Sequence, residues 1–304
     1  MTDQVSMELI MHPKHIKKDV KEGVHKSFTK TITQAKELIT AWVEQPEHES
    51  KMARKSKLLN LNIYDIIVDI YTAVIMHCAK PMPYVSLASM VHIDGFDKVD
   101  SIKVVAELIA LLKDTGIYAL SRRDGKWYVE SLVNLPEVLQ RRIDLSCYLP
   151  PMVEQPQTIK NNHTSGYLTI NDSVLLGFKE NQHNMPLALD VLNTLNNTVF
   201  ELDEYIIDNF KKDWHRQELT DDEIYLLDTK SRNQYLIEKG TRRDHLEQFE
   251  VLKGHLKDRP FYFTNKYDKR GRIYTQGYHF SPQGTSFEKA CINLKTKEFI
   301  TGEL

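Results

Sequence analysis

The sequence has few cysteines and no long apolar run, and each absence excludes a class of protein. Its 304 residues include three cysteines, Cys78, Cys147 and Cys291, which lie far apart and are odd in number. They form neither a disulfide framework nor a Cys-x-x-Cys metal site, so each is expected to be a small buried residue. No apolar stretch is long enough to span a bilayer, and the first residues have no signal-peptide pattern. We therefore predict a cytoplasmic protein without membrane contact.

The chain also lacks a surplus of either charge, because its formal net charge is −2. The distribution is uneven: residues 229–297 contain 15 Lys and Arg against 7 Asp and Glu. Such asymmetry favours contact between the C-terminal part and a polyanion. A solvated face with spare lysines explains the same charge count, so charge alone leaves both interpretations open.

The N-terminal leader is polar and rich in lysine. Its histidines, His12, His15 and His25, have no cysteine or carboxylate pattern around them, so a solvated tail explains them better than a metal site does. Beyond the leader, apolar residues recur at helical spacing. The predicted helices are 27–43, one that begins after Asn62 and stops before Pro81, a short one over 86–91, and one that begins at Asp100 or Ser101 and ends near Gly116.

Two predicted strands follow, IYALS and WYVES, joined by Arg-Asp-Gly-Lys, in which Asp-Gly suits a left-handed turn. Helix, short helix, helix and a basic-tipped hairpin is the order of elements in a winged helix. In that interpretation Arg122, Arg123 and Lys126 contact phosphate and Trp127 stacks on a base. In the alternative, the hairpin only covers a helical domain and Trp127 anchors it in the core.

The second half begins with residues 149–185, which are rich in loop-forming residues and are predicted to be an irregular connector outside any folded core. A long helix is predicted over 186–206, because apolar residues alternate at spacings of four and three. After an acidic, exposed stretch over 213–228, a second helix is predicted over 241–260. The two helices would form an antiparallel hairpin whose second member is basic.

The stretch YDKRGRIY places several cations around Gly271. Arg270 and Arg272 flank this glycine, and the planar guanidinium matches phosphate oxygens better than an ammonium does. Glycine allows a backbone to approach a ligand closely. Asp268 is expected to orient the arginines, and Tyr274 offers a ring or a hydroxyl donor. An Arg-Gly-Arg triplet alone also fits a surface loop with solvated arginines.

The surrounding sequence, FTNKYDKRGRIYTQGYHFSPQGTSFEKACINL, resembles the opening of the palm in single-subunit RNA polymerases of the phage and mitochondrial type. That family has an Asp-x-x-Gly-Arg motif, then a tyrosine, an Asn-Pro-Gln-Gly turn and a lysine. The matching residues here are Asp268, Gly271, Arg272, Tyr274, Pro282, Gln283, Gly284 and Lys289. Ser281 stands where the family has asparagine, and one additional residue separates the tyrosine from the turn.

Upstream segments resemble the same family in the same order. They are LPPMVEQPQ with SGYLTIND, then NMPLALDVLNTLNNTVFELDEYIID, then TRRDHLEQF. The resemblance thus covers residues 149–304, about half of the chain. Together with the pattern of helices and hairpin in the first half, it predicts a predominantly α-helical fold with small β elements. The predicted domains are an N-terminal helical domain with the winged-helix-like hairpin (1–148), which follows from the pattern alone, a connector (149–185), thumb-like helices (186–260) and the first fragment of a polymerase palm (261–304).

The resemblance also implies roles for individual residues. In the family the arginine of Asp-x-x-Gly-Arg contacts the template or the RNA–DNA hybrid, and this role falls on Arg272, with Arg270 beside it. Tyr274 and Lys289 would lie along the same nucleic-acid track. Asp268 and Gly271 would support the active centre. Arg242 and Arg243 would belong to the thumb and bind the hybrid.

A partner is implied as well. The family's two metal-binding aspartates and its fingers lysine follow this stretch, and no such motif occurs in the 304 residues. We therefore expect one subunit of a heterodimeric phage DNA-directed RNA polymerase in the cytoplasm of an infected cell, with Mg²⁺ bound by the second subunit. This chain alone would hold no metal and be inactive. The initial methionine favours a natural split, while a truncated chain stays an alternative. The other expected partners are the DNA template, the RNA–DNA hybrid, and a promoter-recognition or single-stranded-DNA-binding factor.

A non-enzymatic winged-helix DNA-binding regulator is the second hypothesis, which the basic hairpin supports and the ordered matches after Leu149 oppose. A purely structural phage protein explains fewer features. The palm sheet is also expected to have an open edge. An unpaired strand edge beside apolar residues needs cover from another chain, which is a reason independent of the family to expect an obligate partner.

Overall fold

A computed structural model describes residues 3–146, 149–177, 181–209 and 218–297, apart from the side chains of Thr241, Arg242, Asp244 and His245. The chain divides into two compact units, called here the helical unit (Pro13–Asp144) and the C-terminal unit (Met1–His12 with Leu145–Leu304). The structure is mostly helical with small antiparallel sheets, which confirms the predicted fold class at that level.

The secondary structure alternates long helical stretches with short strands. The helices are α1 (Asp3–Met11), α2 (Pro13–Ser27), α3 (Thr29–Glu44), α4 (Glu49–Leu59), α5 (Ile63–His77), α6 (Tyr84–Ala88), α7 (Lys98–Leu111), α8 (Glu137–Leu145), α9 (Leu189–Asn196), α10 (Glu204–Asn209), α11 (Asp221–Leu226), α12 (Thr229–Leu256) and α13 (Ser286–Ala290). The strands are β1 (Met82–Pro83), β2 (Tyr118–Arg123), β3 (Lys126–Ser131), β4 (Phe200–Leu202), β5 (Thr264–Tyr267), β6 (Ile273–Gln276) and β7 (Ile292–Leu294).

Helix α5 lies at the centre of the helical unit because its sequence is apolar on nearly every side. Eleven of its fifteen residues are buried, and α2 and α3 pack against it. The helix begins after Asn62 and ends before Pro81, as predicted. The Asn62 amide donates to the Asp65 carboxylate at 2.7 Å and makes no side-chain bond to the backbone at the helix start.

The other helices of this unit follow the predicted order with shifted ends. Helix α3 matches the prediction to within two residues, and α6 begins two residues earlier than expected. Helix α7 begins before Asp100, because Asp97 is the cap: its carboxylate accepts a hydrogen bond from the Asp100 N–H at 2.8 Å. Gly116 has a φ of 82°, so this glycine supplies the left-handed conformation that follows the helix.

Strands β2 and β3 form the predicted hairpin, with Arg122 opposite Trp127 and Arg123 opposite Lys126. Asp124 and the glycine after it have φ values of 48° and 76°, which is the left-handed turn expected of Asp-Gly. Strand β1 pairs with the other side of β3 and gives the sheet order β1-β3-β2. The basic tip therefore ends a three-stranded sheet.

The N-terminal leader is helical, and the prediction of a solvated tail is wrong. Helix α2 buries Ile16, Val20 and Val24, which recur every four residues, so this lysine-rich segment still has an apolar face for the core. His12 is buried as well. This helical period is hard to recognise in the sequence, because many lysines stand between the apolar residues and occupy another face of the same helix.

Glu8 fastens α1 within the C-terminal unit. Its side chain is fully buried. The carboxylate accepts hydrogen bonds from the N–H groups of Leu168 (3.0 Å) and Thr169 (2.7 Å) and from the Thr169 hydroxyl (2.6 Å). The Gln4 amide donates to it at 2.9 Å. Buried carboxylates need such donors, so these bonds hold α1 against residues far along the chain.

Of the predicted connector, residues 149–177 and 181–185 are irregular, as predicted, but they contribute to the core of the C-terminal unit. Their buried side chains include Met152, Ile159, Tyr167, Ile170, Val174 and Leu175. The backbones of Met152 and Tyr262 exchange two hydrogen bonds, at 2.8 and 2.7 Å. The expectation of a connector outside the core is therefore wrong, because these apolar residues follow no helical or strand period and pair with distant backbone.

The predicted long helix over 186–206 is also wrong. Helix α9 ends at Asn196, and β4 begins at Phe200. The buried Asn196 side-chain oxygen accepts from the Asn265 backbone N–H (2.9 Å) and amide (3.0 Å). Phe200 and Phe261 exchange backbone hydrogen bonds of 2.9 and 3.0 Å. Pairing with residues more than sixty positions away therefore overrides the local helical period.

The second predicted long helix is α12, which has 28 residues and begins well before residue 241. Asp228 caps it by accepting from the N–H groups of Lys230 (2.9 Å) and Ser231 (3.1 Å). Since α9 has only eight residues, the expected hairpin of two long helices is wrong. Of the acidic stretch, residues 213–217 lie outside the described residues, and most of the remainder is exposed, as predicted.

Cys78 and Cys291 are buried free thiols, as predicted, and burial raises the pKa of Cys78 to about 12. Cys147 lies outside the described residues. No single helix of the described chain is long and apolar enough to cross a bilayer, although α4 and α5 together, bent by 102°, meet that requirement in length and composition.

Candidate nucleic-acid interface

The Asp-x-x-Gly-Arg segment forms the tight turn between β5 and β6. The two strands are antiparallel, with Tyr267 opposite Ile273. The N–H of Gly271 donates to the Asp268 carbonyl at 3.0 Å, and the N–H of Asp268 donates to the Arg272 carbonyl at 2.8 Å. Gly271 has a φ of 79°, which closes the turn in the left-handed conformation. The motif is thus a compact hairpin tip.

The Asp268 carboxylate organises this tip. Its Oδ1 accepts from the backbone N–H groups of Arg270 (2.8 Å) and Arg272 (2.9 Å). Its Oδ2 accepts from the Nε of Arg270 (3.2 Å) and the Nε of Arg272 (2.9 Å). One carboxylate therefore fixes both the turn and the two guanidinium groups, which is the orienting role expected from the sequence.

The charge state of Asp268 keeps this arrangement intact near neutral pH. Burial disfavours the ionised carboxyl, but hydrogen bonds from the Arg272 backbone and side chain outweigh burial and hold the pKa of Asp268 below its ordinary value. Because the folded-state pKa is depressed, the arrangement is present above the ordinary pKa and is lost only as pH falls through the lowered one.

The arginines themselves face solvent. The Arg270 and Arg272 side chains are 69% and 53% exposed, against 16% for Asp268. The guanidinium carbon of Arg272 lies 5.7 Å from the ring centroid of Tyr274, which is itself exposed. Lys269 is exposed at the same tip and was not among the predicted site residues. Three cations therefore lie at this tip, and two of them, Arg270 and Arg272, bind the Asp268 carboxylate.

Hydrogen bonds from the irregular segment hold β5 along the edge that does not pair with β6. The N–H of Tyr267 donates to the Val174 carbonyl, and the N–H of Leu176 donates to the Tyr267 carbonyl, both at 2.8 Å. The Tyr267 hydroxyl donates to the carbonyl of Ala188 at 3.0 Å. The hairpin is thus attached to the irregular segment and to the start of α9, which fixes its direction.

Gln283 braces β6 from the opposite side. Its Oε1 accepts from the Thr275 N–H, and its Nε2 donates to the Ile273 carbonyl, both at 2.9 Å. The hydroxyl of Ser281 accepts from the Gln283 N–H at 3.2 Å, so serine supports the turn where the resembled family has asparagine. Both edges of the β5–β6 hairpin are covered from within the chain. The predicted open edge is therefore wrong for this hairpin.

Three of the predicted binding residues lie on other elements than this hairpin. Lys289 is exposed on α13. Arg243 is exposed on α12, while the side chain of Arg242 lies outside the described part of the chain. Their roles in nucleic-acid binding stay predictions.

The tip of the helical unit's hairpin is a second exposed basic feature. Trp127 is 50% exposed, so the alternative that it anchors the hairpin in the core is wrong. Strand residues face alternate sides, so Arg122 shares one face with Trp127, and Arg123 shares the other with Lys126. Arg123 also lies 3.8 Å from the Glu130 carboxylate. The predicted cations of this tip are thus divided between two faces.

Replacing Gly271 with alanine tests whether the left-handed turn matters. An added Cβ meets no atom within 4 Å, so the expected cost of about 1–2 kcal/mol comes from the backbone conformation alone. We expect Gly271→Ala to weaken binding of an RNA–DNA hybrid several-fold in fluorescence anisotropy. Gly254→Ala, in α12 and equally uncrowded, is the control and should stabilise the protein by roughly 0.5–1 kcal/mol. Unchanged hybrid binding by Gly271→Ala would contradict a required turn shape.

No group of three or more His, Cys, Asp or Glu side chains within the described ranges is placed to hold a metal ion. In comparisons with known proteins, neither a protein-family model nor a curated protein matches this chain.

Proposed function

We propose that this chain is one of the two subunits of a DNA-directed RNA polymerase. The two subunits together would correspond to one single-subunit RNA polymerase of the phage and mitochondrial type. This chain supplies an N-terminal domain, a thumb that contains α12, and the first fragment of the palm. In this proposal the β5–β6 hairpin holds the template and the RNA–DNA hybrid. The partner subunit supplies the fingers and the aspartates that bind Mg²⁺, and this chain alone is inactive. A promoter-recognition or single-stranded-DNA-binding factor is a further proposed partner.

The observation that carries the proposal is the pair of arginines fixed on one carboxylate at an exposed, braced hairpin tip. Each guanidinium has five N–H donors. Asp268 engages the donor at Nε and, for Arg270, one terminal nitrogen, and the Tyr274 side chain is a further partner of Arg272. The donors that these partners leave over, on side chains 69% and 53% exposed, can bind phosphate oxygens. Because the carboxylate already orders both side chains, binding loses less side-chain entropy than it would with free arginines.

Identification of the partner tests the proposal. The chain is purified from its natural source, and the proteins that accompany it in equal amount are identified by mass spectrometry. We expect one partner that carries two metal-binding aspartates and a fingers lysine. Isolation of this chain as a stable monomer, with no such protein bound, would contradict the proposal.

The helical unit favours a second candidate function, a winged-helix DNA-binding regulator. The supporting observation is the element order α5, β1, α6, α7 and hairpin, together with the sheet order β1-β3-β2. The charge on α7 opposes it, because this helix precedes the hairpin and would enter the DNA groove. With its cap it carries two lysines against Asp97, Asp100 and Glu107.

Charge reversal at the hairpin tip tests the second candidate. If the chain is a winged-helix regulator, the variant Arg122→Glu/Arg123→Glu/Lys126→Glu should lose duplex-DNA affinity by about 100-fold, since three phosphate contacts turn repulsive. Filter binding at several salt concentrations measures the loss. An affinity that equals the wild-type value would exclude the regulator.

A further inference from the structure

Strand β2 has one edge that no other described strand covers. The sheet order is β1-β3-β2, so β2 pairs with β3 on one side only. The Leu132 N–H donates to the Ile117 carbonyl at 2.9 Å, which makes these two residues a hydrogen-bonded pair just before β2 begins. Because such pairs alternate along antiparallel strands, the N–H and C=O groups of Tyr118, Leu120 and Arg122 point away from β3. We call this row of backbone groups the β2 edge.

The outer part of the β2 edge is open within the described part of the chain. No hydrogen bond from another described residue reaches the outward backbone groups of Leu120 or Arg122. Ala119 and Arg122 are exposed, so solvent reaches this part of the strand. Unpaired N–H and C=O groups in a regular row accept an additional strand, and many proteins bind extended peptides in this way. The backbone therefore selects an extended polypeptide segment as the occupant.

The charge at the hairpin tip indicates which segments fit this edge. Residues 122–126 contain three cations and one carboxylate. Arg123 lies 3.8 Å from the Glu130 carboxylate, whereas no ion pair joins Arg122 or Lys126 to a carboxylate of the described ranges. The tip keeps a net positive charge, so an acidic segment complements it better than a neutral or basic one does.

The alternation of side chains along β2 predicts the pattern of a matching segment. Leu120 and Arg122 lie on one face of the sheet, and Arg123 lies on the other. A strand that pairs with β2 distributes its own side chains over the same two faces. The residue beside Leu120 is therefore expected to be apolar, and the residues beside Arg122 and Arg123 are expected to be acidic.

We propose that the β2 edge binds an extended, acidic segment of another protein by strand addition. The added strand exchanges backbone hydrogen bonds with Leu120 and Arg122, and its carboxylates pair with the arginines of the tip. A DNA duplex also offers anions to these arginines, but its phosphates leave the outward carbonyl groups of β2 without donors. The edge belongs to the helical unit, and the proposal does not depend on the proposed polymerase function.

Peptide selection by the full chain tests the proposal. The immobilised protein is presented with random peptides of about nine residues, enough to span β2, and the enriched peptides are labelled and measured by fluorescence anisotropy. We expect them to combine neighbouring acidic residues with β-branched ones. Arg122→Pro should weaken their binding at least about 10-fold, because proline removes an outward N–H and leaves the hydrogen bonds between β2 and β3 in place. Circular dichroism and urea denaturation check that the variant is folded.

Arg122→Gln is the matched control, because it removes the same charge and keeps the backbone N–H. It should weaken peptide binding by only about 3-fold. Equal losses in the two variants, enriched peptides without acidic residues, or no enrichment at all would overturn the proposal. Two other occupants would also overturn it. Self-association that Arg122→Pro abolishes in analytical ultracentrifugation would assign the edge to a second copy of the chain, and duplex binding that both variants weaken equally, without enriched peptides, would assign the tip to DNA.

Discussion

Replacing Arg270 and Arg272 together with alanine is expected to weaken binding of an RNA–DNA hybrid about 50-fold near 100 mM salt. Each arginine that neutralises one phosphate contributes about one unit to the slope of log affinity against log salt, so the slope should become shallower by about two. The loss should be large because Asp268 holds both guanidinium groups in place before the hybrid binds. Fluorescence anisotropy with excess unlabelled duplex DNA, which occupies other basic surfaces, measures the effect.

A matched double variant controls for the loss of two charges. Lys160 and Lys295 are exposed residues of the same unit, and Lys160→Ala/Lys295→Ala changes the net charge equally. We expect less than about a 3-fold loss from this control. If both double variants lose hybrid affinity to the same extent, the hairpin tip contributes only general charge and the proposed role of Arg272 is wrong.

Replacing Glu8 with alanine is expected to lower the free energy of unfolding of the C-terminal unit by about 3 kcal/mol, because three partly buried donors of Leu168 and Thr169 lose a charged acceptor that is itself fully buried. Urea denaturation followed by circular dichroism measures the change. Hydrogen exchange should also accelerate at the amides of Leu168 and Thr169, which donate to this carboxylate.

Glu250 provides the comparison for this variant, because it is an exposed carboxylate on α12 in the same unit. Glu250→Ala should change the free energy of unfolding by less than about 0.5 kcal/mol. A Glu8→Ala protein with wild-type stability and unaltered exchange would show that α1 is not held through this carboxylate.

The sequence predicted those parts of the fold that depend on nearby residues. The order of α3, α5, α6 and α7 follows from apolar periodicity, and the β2–β3 hairpin follows from the Asp-Gly turn. Helix α2 was missed, although Ile16 and Val20 have helical spacing, because its lysines made the segment resemble a tail. The core contribution of 149–185 and the end of α9 were missed because they depend on contacts with β5 and with Phe261.

In the candidate site, too, contacts between nearby residues could be predicted and contacts between distant residues could not. Asp268 could be expected to orient Arg270 and Arg272 because all three lie within one turn. The role of Gln283 could not be predicted from the sequence. Its amide makes the hydrogen bonds to β6 that a neighbouring strand would make, and it does so only because the folded chain returns beside that strand. The sequence therefore predicts an open edge at this hairpin that the structure does not have, and an unpaired β5–β6 edge is no argument for a polymerase partner.

RNA extension by the proposed heterodimer distinguishes a polymerase subunit from a protein that only binds nucleic acid. Both subunits are purified together and supplied with an RNA primer annealed to a DNA template, nucleotides and Mg²⁺, and RNA extension is measured for wild type, Arg272→Ala and the control Lys295→Ala. We expect Arg272→Ala to reduce extension at least about 100-fold, as loss of a preorganised phosphate contact at a reaction centre does, while both subunits still co-purify. Lys295→Ala should extend RNA like wild type. Wild-type extension by Arg272→Ala would contradict the claim that this hairpin holds nucleic acid at a polymerase active centre.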